Sequence, residues 1–156
     1  MRIAMGCDPN ASEYKKILED YVKTLGHEYT DFGSDDPIYG KVAVTVAEKV
    51  ATGEYDRGIL LCGTGIGVCI AANKVKGAYA ANVNNVYQAQ RAALSNNANI
   101  ITIGAQVTGI EVAKTMVKEY LSNCFDPKSR SATKVEFIAD YEGKEKVPTI
   151  PHCQCG

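Results

Sequence analysis

Acidic residues are absent from a long central stretch of this chain. The 53 residues 58–110 hold no aspartate or glutamate, and their only charges are Lys74, Lys76 and Arg91. Where such a stretch meets a cleft it favours anions; where it is packed inside it is plain core, and both readings stand at this point. Net charge is lacking too, with 17 Lys and Arg against 18 Asp and Glu. Without a basic excess there is no general attraction to nucleic acid or to an anionic membrane, so neither is an expected partner. No apolar run spans a bilayer either: residues 58–73 are uncharged but cut by Gly63, Gly65 and Gly67, and they fall short of the roughly 20 residues required. No cleavable signal pattern follows Met1-Arg2, so the expected compartment is cytoplasmic and the six cysteines are expected as thiols. Histidine is scarce. His27 lies at the wrong end of a predicted strand and His152 near the C-terminus, which argues against a Cys–His nucleophilic pair.

What is present is regular alternation. Apolar runs at 2–7, 27–32, 57–62, 78–83 and 100–103 predict strands, and amphipathic stretches at 12–25, 42–52, 65–74, 86–95 and 110–121 predict helices. In the first helix Ile17, Leu18, Tyr21, Val22 and Leu25 share a face, and Gly26 is its natural stop. The pattern predicts an α/β fold: a three-layer αβα, Rossmann-like, doubly wound sheet of five mostly parallel strands, with a further C-terminal helix over 131–141. Its ligand crevice is expected at the carboxyl ends of the strands. With 156 residues, 46% of them hydrophobic, the chain fits one domain over 1–145. Residues 146–156 read as a tail.

The third strand runs into Cys62-Gly63-Thr64-Gly65-Ile66-Gly67. Glycines between a strand and a helix let backbone N–H groups converge on an anion, and the helix dipole adds positive potential. The loop meets neither nucleotide motif, because position 68 is valine rather than glycine and no Gly-Lys-Ser/Thr follows. Cys62, at that helix start, is a candidate nucleophile or proton-abstracting base, and equally a small buried hydrophobe. Asp8 ends the first strand, where a carboxylate holds sugar hydroxyls or caps the following turn. Arg130 and Lys134 are spaced i, i+4 near the C-terminus; they form a phosphate grip or a solvated basic face. The tail residues His152, Cys153 and Cys155 are one ligand short of a closed zinc site, and no metal is expected.

Taken together, Gly6-Cys7-Asp8, the run from Asp56 through Cys62-Gly63-Thr64-Gly65-Ile66-Gly67, Ala71-Ala72-Asn73-Lys74, Asn96-Asn97-Ala98-Asn99 and the Arg130 and Lys134 pair resemble the type B ribose-5-phosphate isomerase and galactose-6-phosphate isomerase family. The resemblance runs from residue 2 to about residue 141. It implies a cofactor-free aldose–ketose isomerase of a small phosphosugar, a homodimer or dimer of dimers with sites shared across the interface. By that resemblance Cys62 moves a proton between C1 and C2, and Thr64 with the amides of Gly63, Gly65 and Gly67 stabilises the enediolate oxygen. Asp8, Ser95 and Asn96 are implied to contact the sugar, with Arg130 and Lys134 as the phosphate clamp.

Three positions depart from the family pattern. Pro9 stands where a histidine is common after the first-strand Asp, Ser95 replaces the ring-opening histidine, and Lys134 replaces the second clamp arginine, keeping the charge without the bidentate fork. A pentose 5-phosphate must be opened before it isomerises; a tetrose 4-phosphate cannot close into a furanose. The family's commonest activity makes ribose 5-phosphate the implied substrate. Ser95, and the likeness of Arg91-Ala92-Ala93-Leu94-Ser95-Asn96-Asn97-Ala98 to a subgroup that includes erythrulose-4-phosphate isomerases, imply a tetrose 4-phosphate as the alternative, with galactose 6-phosphate a further one. A non-catalytic sugar-phosphate-binding paralogue, or a redox-sensing protein built on Cys62 and Cys69, would be a different class of function, and neither predicts deuterium uptake at C2.

Overall fold

Two uninterrupted apolar runs lie in the middle of a sheet covered on both faces. The computed structural model describes residues 1–33 and 35–143; the expected tail with His152, Cys153 and Cys155 lies outside the described residues. In chain order the elements are β1 (Arg2–Cys7), a 3-10 turn (Pro9–Ala11), α1 (Ser12–Thr24), β2 (Glu28–Asp31), α2 (Tyr39–Ala51), β3 (Arg57–Cys62), α3 (Ile66–Ala72), β4 (Ala80–Asn82), α4 (Val86–Leu94), β5 (Ile100–Gly104), α5 (Ile110–Ser122) and α6 (Ala132–Tyr141). The strands lie in the order β2-β1-β3-β5-β4 and every pairing is parallel. β1 and β3 lack polar alternation because helices cover both of their faces.

Strand side chains alternate between two cores. Ile59 and Leu61 pack with Leu18 and Val22 of α1, Ala92 of α4 and Met116 of α5. Leu60 and Cys62 face the other way, against Val42 and Val46 of α2 and Val68 of α3. Helix α2 begins at Tyr39 rather than at residue 42. Its first turn points outward and adds no apolar periodicity, whereas Val42 is the first residue it buries. At the end of α1 Gly26 adopts φ +79° and its N–H donates to the Lys23 carbonyl at 2.9 Å, the left-handed stop that glycine allows.

Order reverses between β1 and β3, because β2 lies outside β1 on one side while β5 and β4 follow β3 on the other. The chain leaving β1 is held against β3 there, with the Asp8 N–H donating to the Leu61 carbonyl at 2.9 Å. Such a switch point is where open α/β sheets bind ligands.

Helix α2 sits directly on glycine. A Cβ on Gly6 would lie 2.5 Å from Val42 Cγ2 and 3.3 Å from Val46 Cγ2. Gly6→Ala is therefore expected to lower stability by ~1–3 kcal/mol through overpacking, read as a fall in the urea midpoint. Combining it with Val42→Ala should recover part of that loss; an unchanged midpoint in the single variant would show that α2 gives way freely.

Candidate active site

Asp8 and the cysteine loop meet at the carboxyl end of β1 and β3. Cys62 is the last residue of β3 and is 6% exposed, facing α2 and α3. The Gly65 N–H donates to its sulfur at 3.0 Å, which orients the thiol and supplies a donor to negative charge on it. Gly65 has φ +79°, and a Cβ there would strike Asn82 Oδ1 at 2.5 Å. The Thr102 hydroxyl donates to the Gly65 carbonyl at 2.8 Å, so β5 braces the loop from behind. The Tyr39 ring packs against the bare α-carbon of Gly67, within 2.6 Å of where a Cβ would sit. Gly63 lies against the Gln106 side chain. Thr64 is exposed and its hydroxyl accepts the Ile66 N–H at 3.3 Å.

Asp8 is 9% exposed and accepts the Asn10 N–H at 2.9 Å. It caps the 3-10 turn with one oxygen, so the turn role and a ligand role are compatible. Cys7, one residue earlier, is no rival for Cys62. Burial pushes its thiol up to about 11 despite the opposing charge of Lys15.

The other predicted residues gather elsewhere. Ser95, Asn96, Arg130 and Lys134 line one cleft of about 410 Å³ together with Tyr87, Arg91, Ser131, Val135 and Ile138. That cleft is at the amino edge of the sheet, not in the crevice expected for Ser95 and Asn96. The reason is polarity: α4 runs back against the strands, so its end delivers residues 95–99 beside the start of β3, where the Gly58 N–H donates to the Asn99 carbonyl at 2.8 Å. From Gly58 to Cys62 is four residues of strand, ~13 Å at 3.3 Å each. Within one chain the two groups of residues therefore lie a strand length apart.

Arg130 stands just before the last helix, as the predicted start at residue 131 requires. Helical bonding starts at Ser131, whose carbonyl accepts the N–H groups of Lys134 and Val135. Arg130 thus precedes α6 and Lys134 is in its first turn. Both cations therefore lie at the positive end of a helix dipole, which is unfavourable unless an anion sits between them. The cleft lining contains three cations and no carboxylate.

Arg91 is the third of those cations, and the sequence reading did not place it in a site. Its guanidinium donates to the Ser95 hydroxyl oxygen. The i, i+4 spacing along α4 was the available signal. His27 is remote from Cys62: its ring nitrogen lies 3.4 Å from the terminal amine, and burial, the terminal ammonium and Arg57 hold its titration below the usual histidine value.

Comparison with known proteins gives a consistent set of likenesses. A family model described as ribose/galactose isomerase matches residues 3–138. The chain is 46% identical to D-erythrulose-4-phosphate isomerase 2 of Mycolicibacterium smegmatis, over 92% of this chain and 98% of the relative. It is likewise 46% identical to D-erythrulose-4-phosphate isomerase of Pectobacterium atrosepticum, over 94% and 98%. The structure of Clostridium thermocellum ribose-5-phosphate isomerase B superimposes with a TM-score of 0.86 at 39% identity, covering 94% of this chain and all of that one.

Proposed function

The chain belongs to the ribose/galactose isomerase family, and from that membership we propose that it interconverts a tetrose 4-phosphate aldose and its ketose, at sites each assembled from two copies of the chain. Aldose–ketose isomerisation of a sugar phosphate is the family's activity. The reaction needs no outside oxidant, since C2 is oxidised as C1 is reduced. Cys62 as thiolate takes the proton from C2 of the open-chain aldose, leaving an enediolate; the hydroxyl proton on O2 passes to O1, and Cys62 returns its proton to C1 as the carbonyl forms at C2. Thr64 and the amides of residues 63–67 surround the developing negative oxygen, Asp8 holds a sugar hydroxyl, and Arg130 with Lys134 grips the phosphate.

The tetrose reading is carried by the serine at position 95, which replaces an imidazole that titrates near neutral pH. A ring-opening group must exchange a proton with the sugar's anomeric hydroxyl or ring oxygen. Ser95 stands where the family places such a group, and its oxygen accepts a hydrogen bond from Arg91, a side chain that does not deprotonate. An open-chain tetrose phosphate needs no such step, and the two 46%-identical relatives carry that activity in their names.

The homodimer is supported by the distance between the two half-sites and by their apolar surroundings. Ile66 and Ile70 stand exposed beside the cysteine loop, and Tyr87, Phe137 and Ile138 beside the anion cleft, a pattern that marks contact surfaces. A chemistry that depends on the Cys62 thiol suits the reducing cytosol.

Cys62→Ala is expected to lower kcat by ~10³ or more, with inorganic phosphate still bound. Arg130→Ala should raise KM about 10- to 100-fold, the loss of one charge-assisted contact of ~1.5–3 kcal/mol. Assayed at substrate well below the wild-type KM, where both variants are weak, mixing the two under subunit exchange should restore about a quarter of wild-type activity, because a twofold heterodimer keeps one intact site of two; no recovery would place each site within one chain. The comparison of kcat/KM for erythrose 4-phosphate and ribose 5-phosphate decides the substrate. A tetrose preference is expected, a ribose preference overturns it, and Ser95→His should raise ribose turnover by about tenfold or more.

A further inference from the structure

Helix α6 forms one wall of the anion cleft but buries only Val135 and Ala139, leaving Phe137, Ile138 and Tyr141 exposed. Apolar packing therefore holds it weakly. Its far end is secured by polar bonds. The Glu142 carboxylate, just past the helix, accepts the Gly77 N–H at 3.0 and 3.1 Å through its two oxygens and the Tyr79 hydroxyl at 2.9 Å. Lys76 Nζ adds a bond to the Gly143 carbonyl at 3.1 Å.

The same short segment also holds the opposite wall. Asn99 Nδ2 donates to the Gly77 carbonyl at 2.8 Å, and Asn99 Oδ1 accepts the Tyr79 N–H at 2.7 Å. Residues 77–79 are thus one brace gripped on one side by the loop that carries Ser95 and Asn96, and on the other by the end of α6. Burial, and then the bond to Glu142, push the Tyr79 hydroxyl up to about 12, so it stays protonated and donating at neutral pH.

We infer that Glu142 is a positioning residue for the phosphate cleft, acting through α6 without touching the substrate. The inference rests on the reading of Arg130 and Lys134 as phosphate ligands. Helix α6 has ten residues and is a rod ~15 Å long. Pinning one end of the rod sets where the cations at the other end stand relative to Ser95 and Asn96. Charge-assisted bonds to phosphate form only near 2.7–2.9 Å, so a small swing of α6 is enough to weaken them. Glu142 also lies beyond residues 3–138, the span the family match covers.

The test uses the full chain with Glu142→Ala, Tyr79→Phe and Arg130→Ala. It reads kcat and KM with the phosphosugar it turns over, Ki for inorganic phosphate, the rate of Cys62 alkylation by iodoacetamide and the circular-dichroism melting curve. Glu142→Ala is expected to raise KM and the phosphate Ki together by about tenfold, with kcat within about twofold and Cys62 alkylation unchanged. The double variant Arg130→Ala/Glu142→Ala should lose less than the sum of the two single losses, since both act on one clamp in which only Lys134 then remains to be displaced. If Glu142→Ala leaves KM and Ki unchanged, lowers kcat alone, or adds its effect in full to that of Arg130→Ala, the inference is overturned while the clamp reading stands. If Arg130→Ala itself has no effect on KM or Ki, both fall. Should Glu142→Ala fail to fold, Tyr79→Phe removes only one of its bonds and decides: a smaller rise in the same direction supports the inference, and none overturns it.

Discussion

A parallel strand has two chemically different ends, and everything in this protein's site follows from that. The carboxyl ends of β1 and β3 deliver Asp8 and the Cys62 loop to a point where the strand order reverses. Each helix must carry the chain back to the opposite edge before the next parallel strand begins. Residues that follow α4 or α5 therefore emerge at the amino edge. Ser95, Asn96, Arg130 and Lys134 are all of this kind, and no local adjustment brings them to Cys62. Within one chain the sheet keeps Cys62 at one edge and Arg130 with Lys134 at the other.

Charge is arranged around the same geometry. The acid-free stretch 58–110 supplies both half-sites: the cysteine loop at one edge, and Arg91, Ser95 and Asn96 at the other. The cleft at the amino edge has no carboxylate in its lining, and beside the cysteine loop Asp8 is the acidic group, contributed from outside that stretch. At the amino edge Arg130 and Lys134 oppose the dipole of α6, an unfavourable placement that a bound anion reverses. The empty cleft thus holds like charges together at a cost that an anion between them would offset.

Much of this was legible in the residues. The five strands and six helices fall where period and breakers put them, because β1 and β3 are buried on both faces and their apolar runs are unmistakable. Cys62, Thr64 and the glycines stand at the strand-to-helix turn as expected, and Gly65 requires the positive φ that glycine supplies. The start of α2 was not legible, since a solvent-facing first turn carries no apolar signal. Arg91 passed as a background charge until the fold folded its guanidinium onto Ser95. Glu142 gave no signal at all, because its partners Gly77 and Tyr79 lie more than sixty residues away in the chain.

The amino-acid sequence by itself determined the fold class and the family resemblance and named the candidate site residues, because these depend on periodicity and on residue types at short spacing. The tertiary structure alone decided which of those groups share a cleft. That question turns on strand direction and crossover, so Asp8 with Cys62 and Ser95 with Arg130 stand at opposite edges of the sheet. It also decided that Ser95 is paired with a cation and that α6 hangs on one carboxylate, since both are long-range or side-chain contacts that only a packed chain can make.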